Sequence, residues 1–209
     1  MAKTGLFISV EGIDGAGKST HVKFIQEHLE SNGCKVVVTR EPGGTELGEK
    51  IRELLLNSSG MHEITELLLM FASRQELIDK VIKPNLDQGI CVITDRFIDA
   101  STAYQGFGRG IGVDKVNMLI KLLEPALTTH LTFLFDAPLE LAFARVEKDQ
   151  NKDRIEREDG EFFATVLNGY YAVAKAEPER VKIVCTDRDK LCTRTEIAKH
   201  LDELLAKHK

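Results

Sequence analysis

The chain has 209 residues, 43% hydrophobic and 29% charged, an ordinary balance for a globular protein with a buried core. Its 28 Lys and Arg are outnumbered by 33 Asp and Glu, a net charge of −5, so no nucleic-acid partner is expected and anionic ligands must be met by locally placed cations. No apolar run reaches membrane-spanning length and no leader is expected at Met1–Thr4. The four cysteines, without a Cys-x-x-Cys pair, argue against zinc and for reduced thiols in a cytoplasmic protein.

Leu6–Val10 is apolar throughout and is predicted as the first strand. Gly12-Ile13-Asp14-Gly15-Ala16-Gly17-Lys18-Ser19 follows and fits the Walker A pattern, with Thr20 opening a helical stripe of Val22, Ile25 and Leu29 that Gly33 stops. Such glycines let several N–H groups point at phosphate oxygens of ATP, Lys18 reaches the β- and γ-phosphates, and Ser19 ligates Mg²⁺. The second strand, Val36–Thr39, runs into Arg40-Glu41-Pro42-Gly43-Gly44, a turn that leaves Arg40 either facing an anion or merely exposed. Leu47, Ile51, Leu54 and Leu55 mark the next helix. A third, with Leu67, Leu68 and Phe71, heads towards Pro84. Phe71 and Arg74 are three residues apart and share a face, which suits a base stacked on the ring and bonded by the guanidinium. Spacing by itself favours a core Phe beside a solvated Arg.

The third strand, Ile90–Thr94, ends at Asp95-Arg96-Phe97: an acid placed to hold Mg²⁺ directly or through water, and a planar fork for a phosphate. Ser101-Thr102-Ala103-Tyr104-Gln105-Gly106 is either a pocket lining or a loop. Val116, Ile120 and Leu123 mark a helix, Leu131–Phe135 the fourth strand, Phe162, Val166, Tyr170 and Val173 another helix, Val181–Val184 the fifth strand, and Ile197, Leu201 and Leu204 the last helix. Between them, 147–161 is charged without apolar periodicity. It reads as a solvated run or as a lid whose Lys148, Lys152, Arg154 and Arg157 close over phosphates. Strands alternating with helices predict an α/β fold with a parallel sheet, formed by one domain over 1–209, with ligands beyond the carboxyl ends of the strands.

Together, Thr39-Arg40-Glu41-Pro42-Gly43-Gly44-Thr45, Asp95-Arg96-Phe97 and Ala103-Tyr104-Gln105-Gly106, in this order behind the Walker A loop, resemble the thymidylate kinases over nearly the whole chain. The resemblance implies a P-loop NTPase fold with five parallel strands, transfer of the γ-phosphoryl group of ATP to dTMP with Mg²⁺, and a homodimer. It implies that Arg40 and Arg96 hold the dTMP phosphate beside Glu41 and Pro42, Phe71 stacks on thymine, Arg74 donates to its O4, and Ser101 lies near N3. Tyr104 would lie against the deoxyribose with Gln105 beside it. Asp14 would reach the 3′-hydroxyl or a metal-bound water, and Asp95 would help place Mg²⁺ with Ser19. No Lys or Arg interrupts Asp14-Gly15-Ala16, so the bacterial arrangement is implied, in which lid cations such as Lys148 and Arg154 serve the transferring group. The chain departs from the family pattern at Phe97, Ala100 and Leu167, where Tyr, Ser and Arg are usual, and in its Lys-rich lid. Other nucleoside monophosphate kinases and deoxynucleoside kinases share the loop, but Arg40 and Arg96 favour a phosphorylated acceptor. A GTP switch would need Asn-Lys-x-Asp, whereas Asn151-Lys152-Asp153-Arg154 ends in Arg.

Overall fold

The computed structural model describes residues 4–123, 127–146 and 153–208. Five strands, β1 (Phe7–Glu11), β2 (Val36–Arg40), β3 (Cys91–Asp95), β4 (Leu131–Asp136) and β5 (Val181–Cys185), form one parallel sheet in the order β2-β3-β1-β4-β5. Around it lie α1 (Lys18–Ser31), α2 (Glu46–Asn57), α3 (Glu63–Leu77), α4 (Lys83–Asp87), α5 (Ile98–Ser101), α6 (Val113–Ile120), α7 (Leu139–Val146), α8 (Gly160–Ala176) and α9 (Lys190–His208).

All five predicted strands form, and each ends one residue later than its apolar run. The added residues are Glu11, Arg40, Asp95, Asp136 and Cys185, at the carboxyl ends. Their backbones still pair, as in Val10↔Asp95, Arg40↔Asp95 and Asp136↔Cys185, so polar side chains are carried to the crevice by regular ladder geometry. Burial on both faces holds for β1, β3 and β4. The edge strands are only half covered, with Val38 and Ile183 exposed.

Side chains alternate along β1. Ile8 and Val10 pack with Ile25 and Leu29 of α1, Val166 and Tyr170 of α8, and Ile197 and Leu201 of α9. Phe7 packs on the other face with Leu67, Phe71 and Leu77 of α3 and Val116 of α6. The helix heading for Pro84 reaches it through a π-helical turn, Ile78–Ile82, which joins α3 to α4. A second π-helical segment, Thr102–Gly108, continues α5 and carries Tyr104 and Gln105. Helix α7 was not legible as an element of its own, and it packs close to the phosphate loop. At Gly15 (φ 78°) a Cβ would sit 2.2 Å from the Ala142 carbonyl oxygen, so only glycine allows that approach.

Candidate active site

The crevice opens beyond the carboxyl ends of β1 and β3, where the loop Gly12–Ser19 meets Asp95-Arg96-Phe97. Lys18 is buried, and its ammonium donates to the carbonyls of Gly12 and Ile13, each at 2.9 Å, and to Asp14 Oδ1 at 3.3 Å. Burial, then the Arg96 charge, lower its pKa. Arg96 donates to the same Asp14 oxygen at 2.8 Å, to the Gly12 carbonyl at 2.8 Å and to the Tyr170 hydroxyl at 3.2 Å. Its guanidinium lies 4.9 Å from the centre of the Tyr104 ring. Burial alone would raise the Asp14 pKa, but Arg96 and Lys18 outweigh it and hold the carboxylate well below its usual range. Two cations and one carboxylate are thus gathered around one loop carbonyl.

Arg96 sits at φ 72°, a left-handed conformation that costs a non-glycine residue about 1 kcal/mol or more and persists only where its surroundings hold it. Three bonds do so: Arg96 N–H to the Val10 carbonyl, the Thr94 hydroxyl to the Arg96 carbonyl, and Phe97 N–H to Glu11 Oε1 at 2.7 Å. Glu11 is fully buried and also accepts from Tyr170 at 3.0 Å. Burial, reinforced by Asp99, pushes its pKa from 4.5 up to about 8. No sequence motif singled it out.

A cavity of about 140 Å³ adjoins this cluster. Asp14, Arg96, Arg52, Arg74, Glu41 and Pro42 form its polar side, with Met70, Ser101, Tyr104 and Gln105 around the rest. Arg74 is 2% exposed and bonded at each nitrogen: Nε donates to Glu41 at 2.7 Å, and the terminal nitrogens each donate once, to Ser101 Oγ and the Phe97 carbonyl, both at 3.0 Å. The Glu41–Pro42 bond is cis. Tyr104 is buried, and its hydroxyl has no hydrogen-bond partner among the described residues.

Three residues expected at the site stand elsewhere in the structure. Phe71 does not line the cavity. It is buried in the core beneath α3, under the Arg74 guanidinium at 4.7 Å, and Met70, one residue earlier, faces the cavity instead. Arg40 ends the edge strand β2, exposed and paired with Glu49 at 2.9 Å, so the cavity's additional arginine is Arg52 of α2, which donates to the Pro42 carbonyl at 2.9 Å. Arg154 does not reach over the loop: it donates to buried Glu66 at 2.7 Å and to the Leu55 carbonyl at 3.0 Å. Lys148 and Lys152 lie outside the described residues.

A second cavity shares the loop from its other end, lined by Gly17, Thr20, His21, Arg145, Thr186, Arg188, Lys190 and Thr193. Arg145 of α7 donates to the carbonyls of Gly15 (2.9 Å) and Thr186 (3.1 Å), and the Thr186 hydroxyl donates to the Ala16 carbonyl at 2.7 Å. Among the described residues no three His, Cys, Asp or Glu side chains cluster as a metal cage. Asp95 Oδ1 is nevertheless buried at the end of β3 with no hydrogen-bond partner among the described residues, and Ser19 is exposed at the start of α1. One or two protein oxygens completed by substrate phosphates and water suit Mg²⁺. A phosphate loop shared by two cavities can present one anion to another.

The family model described as Thymidylate kinase matches residues 10–197. The chain is 48% identical over 202 residues to a thymidylate kinase of Methylobacillus flagellatus, covering 97% of this chain and 99% of that one. It is 46% identical over 204 residues to one of Methylococcus capsulatus, covering 98% of each. The crystal structure of thymidylate kinase from Ehrlichia chaffeensis superposes with a TM-score of 0.78 at 36% identity, covering 95% of this chain and 99% of that one.

Proposed function

The chain belongs to the thymidylate kinase family and transfers the γ-phosphoryl group of ATP to dTMP, giving dTDP and ADP, and from that premise we propose how its residues divide the work. The observation that carries the assignment is the phosphate loop set between two cavities, with Asp14 lining one and Gly17 and Thr20 the other. The first is the acceptor site. Arg96 and Arg52 receive the dTMP phosphate, Arg74 and Ser101 bond the edge of thymine, and Met70 lies against its face. Tyr104 closes the side where a 2′-hydroxyl would project, and Asp14 serves the sugar 3′-hydroxyl or a metal-bound water. Gln105, Glu41 and Pro42 complete the wall. The second cavity takes the ATP base, with Arg145 and Thr186 beside it.

The catalytic work is positioning and charge neutralisation. Lys18 and the loop N–H groups of Gly12–Thr20 hold the ATP phosphates. Ser19 and Asp95 would hold Mg²⁺, which supplies charge neutralisation at the transferring group. The loop interior carries no cation, so the remaining positive charge comes from the lid, from Lys148, Lys152 or Arg157. The whole chain acts as one kinase unit with its lid over 147–161, in the cytoplasm, where its free thiols stay reduced.

A homodimer fits the exposed apolar residues Leu47 and Leu54 on α2 and Ile64 and Leu68 on α3, which packs against α2, since exposed apolar surface can pair with its own copy across a two-fold axis. No helix among the described residues is long and apolar enough to cross a membrane.

Steady-state kinetics of Arg52→Ala and Arg40→Ala test the acceptor site. Loss of a cation that bonds the phosphate directly raises the dTMP KM about tenfold or more for Arg52→Ala, with a far smaller change for Arg40→Ala. The reverse order would return the phosphate to Arg40 and remove the cavity from the reaction.

A further inference from the structure

Glu66, Met70 and Arg74 stand four residues apart along α3 and so share one stripe of the helix. Met70 and Arg74 line the acceptor cavity. Glu66, one turn towards the helix start, is 1% exposed, and a carboxylate so buried is costly unless every lone pair is satisfied. It is satisfied from three directions. Gln105 of the π-helical segment donates to Oε1 at 2.8 Å, and Arg109 (3.2 Å) and Arg154 (2.7 Å) donate to Oε2. Burial would raise its pKa, but these donors outweigh it and keep the carboxylate charged.

The two arginines lead onwards to one short segment. Arg154 also donates through Nε to the Leu55 carbonyl and through its backbone N–H to the Leu56 carbonyl, pinning the segment to the end of α2. Arg109 donates to Glu158 at 2.5 Å and lies over the Phe162 ring at 4.6 Å. Between the two pins, Asp153 Oδ1 accepts from the N–H groups of Ile155 and Glu156, which stiffens the turn. The other face of this turn, Asp153, Ile155 and Glu156, lines the acceptor cavity. At the junction itself the charges of Arg109 and Arg154 are matched by those of Glu66 and Glu158. Gln105 follows Tyr104, whose ring carries Arg96, so the same carboxylate also braces the wall behind the phosphate-binding arginine.

We infer that Glu66 is a positioning residue which, through Arg154 and Arg109, straps residues 153–158 across the mouth of the acceptor cavity, holding dTMP in and water out of the transferring phosphoryl group. The inference takes that cavity to be the acceptor site. Arg154 then acts as a strap anchor: its charge is spent on Glu66 and is not available to the γ-phosphate. A strap of this kind governs acceptor retention and coupling, and leaves ATP affinity nearly untouched.

The test uses the full chain as Glu66→Gln, Arg154→Ala and the double variant, with dTMP and ATP varied separately and ADP and dTDP measured separately. Each single variant is expected to raise the dTMP KM about tenfold, to leave the ATP KM within about twofold, and to release ADP in excess of dTDP as water enters, with the double variant close to either single one because both cut the same connection. A fall in kcat for Arg154→Ala with unchanged dTMP KM and ADP matched to dTDP would overturn the proposal and return Arg154 to the transferring phosphate. Additive effects in the double variant would overturn it too. Glu66→Gln leaves two half-buried arginines facing a neutral amide; if it does not fold, Arg154→Ala, at a part-exposed side chain, decides alone. If Arg52→Ala also leaves the dTMP KM unchanged, the acceptor-site reading itself fails. If only the strap variants do, the strap fails and the site stands.

Discussion

Replacing Arg74 by leucine isolates what the buried ion pair contributes to the fold. Arg74 is 2% exposed and Glu41 5%, and among the described residues Arg74 is the only hydrogen-bond partner of the Glu41 carboxylate, whose second oxygen, Oε1, has none there. Arg74→Leu fills part of the space but leaves Glu41 charged, buried and unpaired, and also frees Ser101 Oγ and the Phe97 carbonyl. Breaking a buried pair from one side costs about 3–5 kcal/mol, where replacing both partners costs far less. At roughly 2–4 °C per kcal/mol for a chain of this size, thermal unfolding should fall by roughly 6–20 °C. The pH dependence has a definite sign. Burial raises the Glu41 pKa even with Arg74 present, and removing Arg74 raises it further. A raised carboxyl pKa gives stability that is complete below the unfolded value and lost as pH rises through the folded one. The deficit should therefore be smaller at mildly acidic pH than at neutral pH and above. Adding Glu41→Gln to Arg74→Leu should restore part of the loss. A Tm change under about 2 °C at neutral pH, or a double variant less stable than the single one, would refute the reasoning.

Two further outcomes follow from the same cluster. Glu11, raised from 4.5 to about 8, contributes stability that is complete below pH 4.5 and lost as pH rises through about 8; Glu11→Gln should flatten that limb of a denaturant-unfolding series across pH, and an unchanged slope would count against the burial argument. Lys18→Ala should lower kcat about 100-fold or more with little change in dTMP KM, whereas Arg96→Ala should act chiefly on dTMP KM; unchanged dTMP kinetics in Arg96→Ala would remove it from the acceptor site.

The sheet and the loop were readable in the residues because both are local. Apolar runs form strands wherever helices cover both faces, and Gly12–Ser19 needs only its own backbone to curl. The acceptor cavity depended on packing. Phe71 and Met70 lie three and four residues before Arg74, so each can neighbour it, and only the core below α3 decides that the aromatic ring goes inward and Met70 outward. Arg40, at the end of an exposed edge strand, finds Glu49 nearby, while Arg52 returns to the turn only because α2 folds back beside Pro42. Glu66 had no sequence signal, since an acid in an amphipathic helix ordinarily faces water. Its burial depends on Gln105, Arg109 and Arg154, all at least 39 residues away. The π-helical segment that carries Tyr104 and Gln105 has no composition of its own, which is why that stretch read equally as loop or lining.

The most direct test is ADP formation by the purified chain with ATP and Mg²⁺, offered dTMP, dUMP, dCMP, AMP, GMP or thymidine in turn. The account predicts turnover that strongly prefers dTMP and is absent with thymidine, which has no phosphate for Arg52 and Arg96 to hold. Preference for another acceptor, or none with dTMP, would contradict it.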